Sequence, residues 1–134
     1  MDREVLFRIK DRISGDWCYG FPINAVDKNN VVSFVGKDEK GGEYFNALAD
    51  AETLTEFTGL SDKNGKQIFE GDICTDGHKR WIIHFHFYGW QCKEIGTTWE
   101  LSFPLWQWDN CKENGYRQLE VIGNIHDNPE LLKA

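Results

Sequence analysis

Thr58-Gly59-Leu60-Ser61-Asp62-Lys63-Asn64-Gly65-Lys66-Gln67-Ile68-Phe69-Glu70-Gly71-Asp72-Ile73 is the stretch whose reading decides the fold. Asp62-Lys63-Asn64-Gly65 has the chemistry of a tight turn, with an aspartate to bond its own backbone and a glycine free to take positive φ. It reads as a hairpin loop of three to four residues. Glu70-Gly71-Asp72 is a second turn, and a new strand opens at Ile73. Strands this short, joined by glycine turns, point to a β-barrel or β-sandwich.

Downstream, Asp76-Gly77 turns the chain into Arg80 to Tyr88. Trp81, Ile83, Phe85 and Phe87 share one face there, and Ile82, His84, His86 and Tyr88 the other. Both faces are apolar enough to predict a central strand. Gly96 to Phe103 alternates again with Trp99, Leu101 and Phe103 inward. Pro104 then breaks the ladder and switches the parity to Trp106 and Trp108. Lys112-Glu113-Asn114-Gly115 is another turn, and Leu119 to Ile125 the last strand. Asn128 is placed to cap a short C-terminal helix with Pro129 in its first turn.

Upstream, Val5 to Lys10 predicts a strand with Phe7 and Ile9 inward and Arg8 and Lys10 outward. Asp16 to Ile23 carries Trp17, Tyr19 and Phe21 at period two. Val31 to Val35 and Glu43 to Asn46 read as strands joined through the charged turn Lys37 to Gly42. Ala47 to Glu52 reads as a short irregular or helical piece, with Leu48, Ala51 and Leu54 on one helical face. A strand over Thr53 to Thr58 follows it. The expectation is a mainly β protein, a small barrel or sandwich with a short C-terminal helix. The segment from Phe69 to Ile125 has the strand count of an SH3-like barrel. One domain over 1–134 is expected, divisible into an N-terminal β lobe, 1–57, and a C-terminal barrel lobe, 58–134, that share a core.

The chain has 134 residues, 40% of them hydrophobic and 28% charged. That composition is globular, and a chain of this length needs neither disulfide nor metal to fold. Net charge is −7 and no basic stripe occurs, so nucleic-acid binding is disfavoured. No stretch is long and apolar enough for a membrane span or a signal peptide. Cys18, Cys74, Cys92 and Cys111 are widely spaced, which excludes a zinc ribbon and predicts free thiols in a reducing compartment.

Three blocks of the chain together resemble the YopX family of small phage and prophage proteins. They are Thr58-Gly59-Leu60 with Asp62-Lys63-Asn64-Gly65-Lys66 and Ile68 to Ile73, the closing Val121-Ile122-Gly123-Asn124-Ile125-His126-Asp127-Asn128-Pro129-Glu130-Leu131-Leu132, and the opening Phe7-Arg8-Ile9-Lys10-Asp11. In the opening block Ile9 and Lys10 stand where the family has Ala-Trp. Asp16 to Asp50 and Tyr88 to Tyr116 match poorly. The resemblance implies a mainly β fold, a mobile-element origin and a bacterial cytoplasm. It brings no activity, cofactor or catalytic residue.

Candidate chemistry is sparse. Aligning Gly65 with the sixth position of an EF-hand loop puts Leu60 first and Gly71 twelfth, and neither ligates. Glu70 and Asp72 could pair as carboxylates, but in a turn they more often accept backbone N–H groups. Asp62, Asn64, Gly65, Glu70, Gly71 and Asp72 are therefore read as a structural motif. His84 and His86 lie at period two, so two imidazoles share a strand face. A metal site there needs a third ligand from His78, Cys92, His126 or an acid. No nucleotide loop, nucleophile elbow or zinc-protease motif occurs, and no cofactor is expected. The aromatic residues, 14% of the chain with 6 Trp, must enter the core or a binding face. Trp99, Phe103, Trp106 and Trp108 are the candidate binding residues, on the argument that the parity switch at Pro104 sends some of them outward.

The expected function is a non-enzymatic phage accessory protein, a β-rich module that binds a protein partner or itself, with a homo-oligomer as the outcome. The alternatives are a small metal-dependent hydrolase on His84 and His86 and, further off, an acidic nucleic-acid mimic.

Overall fold

The computed structural model describes residues 6–22, 31–32, 34–38, 43–45, 49–86, 88–96, 102–105 and 119–133. They form two antiparallel sheets in a chain that divides into two compact units, Met1–Phe57 and Thr58–Ala134.

In the first unit the strands are β1 (Phe7–Asp11), β2 (Trp17–Pro22), β3 (Val31–Val32), β4 (Phe34–Asp38), β5 (Glu43–Phe45) and the start of the long β6 (Ala49–Ser61). Their order is β3-β6-β1-β2-β4-β5. The predicted helical piece is corrected here, because Ala49 to Glu52 is strand. Asp50 pairs with Lys10 on one side and with Val31 on the other, and two flanking ladders outweigh the helix propensity of alanines. Leu48 lies outside the described residues. Ile9, Cys18 and Phe34 are buried together, with Phe7 and Leu54 packed on them.

The inward positions of β1 are as the alternation implies, but Arg8 is not solvated. Its Nε donates to Thr55 Oγ1 at 3.2 Å, and its guanidinium sits 4.4 Å from the centre of the buried Trp17 ring. The aromatic face and the threonine hydroxyl replace water around the charge. Gly20 and Gly36 face each other across β2 and β4. A Cβ on Gly36 would stand 2.0 Å from the Tyr19 carbonyl oxygen, so the two backbones meet where only glycine fits.

In the second unit the end of β6 pairs with β7 (Gln67–Phe69). β8 (Asp72–Thr75), β9 (Arg80–His86), β10 (Gly89–Glu94), β11 (Ser102–Pro104) and β12 (Glu120–Asn124) form a five-stranded sheet in the order β11-β10-β9-β8-β12. Among the described residues that sheet does not close on itself, and the mainly β fold, barrel-like or sandwich-like, is as the sequence implies. Pro104 ends an edge strand, where a missing N–H costs no ladder bond. The buried cluster comprises Ile68, Cys74, Trp81, Ile83, Cys92, Leu105, Leu119 and Val121. The C-terminal turn Pro129–Leu132 is a 3-10 helix. Asn128 precedes it but makes no side-chain cap, because its Oδ1 accepts from the Asn124 N–H instead.

Candidate functional site

Two of the three blocks that carry the family resemblance, the central and the closing one, meet in the second unit. The Asp62 carboxylate is buried and accepts three backbone N–H groups: Asn64 and Lys66 on Oδ1, and Val121 on Oδ2, each at 2.9 Å. One oxygen thus shapes its own loop while the other grips β12. The Lys63 N–H donates to the Leu119 carbonyl at 2.9 Å. Gly65 has φ 82° and Gly71 φ 85°, the left-handed region that the turn reading requires. The Gly71 N–H donates to the Ile83 carbonyl, and its own carbonyl accepts from the Ile125 N–H. Asp72 Oδ2 accepts from the Phe69 N–H at 2.8 Å, so this buried carboxylate is a turn clamp.

The closing block is built the same way. Asn124 Oδ1 accepts from the His126 and Asp127 N–H groups, and its Nδ2 donates to Asp127 Oδ2 at 3.1 Å. A Cβ on Gly123 would meet Asn128 Oδ1 at 2.5 Å, which explains a glycine there. Both blocks are therefore architecture: they bond to each other and hold the sheet.

The surface that architecture displays is the end of the β9–β10 hairpin. β9 is the middle strand, as its two apolar faces imply, but its far half is not enclosed. Trp81 and Ile83 are buried, whereas Phe85 is 54% exposed and Tyr88 is 99% exposed. Tyr88 makes the turn with φ 62°, a costly backbone for a large side chain. Phe85 packs edge-on against the half-buried Trp90 with ring centres 5.2 Å apart. The result is an aromatic pair at the open end of the core face, beside a projecting tyrosine.

On the opposite face of β9 the rings of His84 and His86 stack, 5.7 Å apart and 20° from parallel. His84 lies 3.2 Å through Nε2 from Ser102 Oγ, and Ser102 Oγ donates to Gln91 Oε1 at 3.3 Å. Burial holds the His84 pKa below its ordinary value, and the charges of His86 and Lys93 add to that. Of the expected third ligands, Cys92 is opposite Ile83 in the ladder and buried on the other face. Among the described residues no group of three or more His, Cys, Asp or Glu side chains converges on one point. Burial pushes the Cys74 and Cys92 thiols well up, so both are held as neutral core groups. Cys18, Cys74 and Cys92 are buried.

Of the candidate binding residues, Phe103 is half-buried and packs edge-on against Trp81 with centres 5.7 Å apart. Trp99, Trp106 and Trp108, like Cys111, lie outside the described residues. The sequence groups Trp90 with the aromatic-rich stretch of Trp99, Phe103, Trp106 and Trp108, but does not single out Phe85 and Tyr88 as binding residues. The usable signal was Tyr88-Gly89 as a turn between two hydrophobic runs, with Trp90 opening a return strand.

No helix among the described residues is long and apolar enough to cross a membrane. No curated protein matches the chain. Among solved structures, the crystal structure of protein EF1440 from Enterococcus faecalis is similar, with a TM-score of 0.59 and 24% identity. The match covers 98% of this chain and 100% of that one, and at this identity it speaks for the fold alone. The family model described as YopX protein matches residues 6–133, from the opening block through the closing one. With its two hallmark blocks joined by direct hydrogen bonds, the chain belongs to the YopX family.

Proposed function

We propose that this protein is a non-enzymatic accessory protein of a phage or prophage, acting in the bacterial cytoplasm as a β-rich module that associates with itself or with a protein partner. The observation that carries the reading is the aromatic end of the β9–β10 hairpin. Phe85 and Tyr88 expose large apolar surface on a chain of net charge −7. Aromatic groups on a rigid strand anchor protein contacts at low entropic cost. Strain at the Tyr88 backbone fits a residue kept for what its side chain touches. Trp99, Trp106 and Trp108, which flank β11 in sequence, extend the proposed contact. The buried carboxylates and thiols support a binding role over a catalytic one, since Asp62 and Asp72 are spent on backbone N–H groups and Cys74 and Cys92 are held neutral.

Light scattering coupled to size exclusion tests the reading. The wild type is expected to exceed 15.6 kDa with rising concentration and Phe85→Glu to stay at 15.6 kDa. A mass of 15.6 kDa for the wild type at every concentration removes self-association. Equal capture of one host protein by wild type and Phe85→Glu removes the hairpin as the contact.

A further inference from the structure

We propose that His84 and His86 form a two-imidazole chelate for a borderline divalent transition-metal cation on the solvated face of the second sheet. The inference is independent of the protein-binding reading, which rests on the other face of the same hairpin.

The first support is spacing. A metal–nitrogen bond is about 2.0–2.1 Å, which puts each ring centre about 3.2 Å from the ion. Two imidazoles at a tetrahedral angle then have centres about 5.2 Å apart. The ring centres of His84 and His86 are 5.7 Å apart, near that spacing, and turning the His86 ring out of the stack directs both rings onto one ion. The strand holds them there, because residues two apart stand on one face of a pleat.

The second support is the proton on His84. Ser102 Oγ spends its own proton on Gln91 Oε1, so it accepts from His84 Nε2–H. That hydrogen bond fixes the tautomer and leaves the Nδ1 lone pair as the ligand. A metal-bound histidine ordinarily donates its other ring N–H to such a partner, which orients the ring and raises its basicity.

The remaining neighbours define the ion. Ile82, Gln91, Lys93 and Ser102 share this face by register with β9 and β10, and none is a carboxylate. Among the described residues a hard cation such as calcium or magnesium therefore finds no oxygen cage on this face. Imidazole pairs favour nickel, copper and zinc, with water completing the coordination. Lys93 repels the ion and limits the affinity.

The test is Ni2+ titration of untagged wild-type protein at pH 7.5, followed by calorimetry and by NMR broadening of the histidine ring signals. One equivalent is expected, with the His84 and His86 signals broadened first. His84→Gln and His86→Gln should each weaken binding by at least about tenfold, because each leaves a single imidazole. Ser102→Ala should weaken it by about tenfold through the lost orienting bond, without removing a ligand. His78→Gln and His126→Gln should leave it unchanged. Binding that survives His84→Gln or His86→Gln, that disappears in His78→Gln or His126→Gln, or that never saturates in the wild type overturns the proposal.

Discussion

Replacing Asp62 by alanine is expected to destabilise the protein by about 3 kcal/mol. The figure follows from where the three accepted hydrogen bonds lie. The Val121 N–H is buried, so losing its acceptor leaves an unsatisfied donor in the interior, at a cost of about 2 kcal/mol. Asn64 and Lys66 are exposed and water can replace the carboxylate there, which leaves about 1 kcal/mol for both together. Urea unfolding read by tryptophan fluorescence measures it. With a slope of about 1.5 kcal/mol per molar, the midpoint should fall by about 2 M. Asp62→Asn is the informative companion. Its single oxygen serves either the loop or β12 but not both, so it should lose about half as much. A loss below about 1 kcal/mol for Asp62→Ala, or an Asp62→Asn protein as stable as wild type, refutes the idea that one carboxylate joins the two blocks.

Gly65→Val should cost only about 1–2 kcal/mol, since nothing lies within 4 Å of its Cβ position and the whole penalty is backbone strain at φ 82°. Gly36→Ala, with its Cβ 2.0 Å from a backbone oxygen, should cost more than about 3 kcal/mol, and comparing the two urea midpoints checks the order. In an NMR titration His84 should protonate below the ordinary histidine value of 6.5, chiefly from burial, and His86→Gln should raise its midpoint. A folded pKa below the unfolded one means the unfolded state takes up the proton first. His84 therefore costs stability as pH drops below 6.5, with the full cost reached once pH is under the folded pKa. An unmoved His84 midpoint in His86→Gln would remove the mutual repulsion from the account.

The turns were legible in the sequence because their chemistry is local. Asp62, Gly65 and Gly71 each satisfy a backbone need within a few residues, and the structure shows each doing so. Strand identity was harder wherever partners decide it. Ala49 to Glu52 has helical composition and becomes strand because Lys10 and Val31 lie on either side of Asp50. Arg8 reads as a surface charge because nothing in its own strand announces the Trp17 ring and the Thr55 hydroxyl across the sheet. The histidine pair was visible from period two alone. The bond that orients His84 was not, because Ser102 reaches it from an edge strand across an intervening one. The aromatic hairpin end was missed because Tyr88 was read as strand, and a turn with a non-glycine residue at positive φ has no compositional marker.

The joining of the 58–73 block to β12 sets an order of events during synthesis. The ribosome makes Asp62 and its loop early, but the Val121 N–H and the Ile125 N–H that they bond emerge only after the intervening strands. Until then β8 has one neighbour instead of two, and its free edge lies next to Ile73 and Cys74, side chains that are fully buried in the finished fold. A nascent chain stalled before residue 119 would thus present an unpaired strand edge with apolar side chains, a template for pairing with its own copies on a polysome. Closure by the C-terminal strand thus comes late in synthesis, and truncation before it leaves that strand edge as an aggregation hazard.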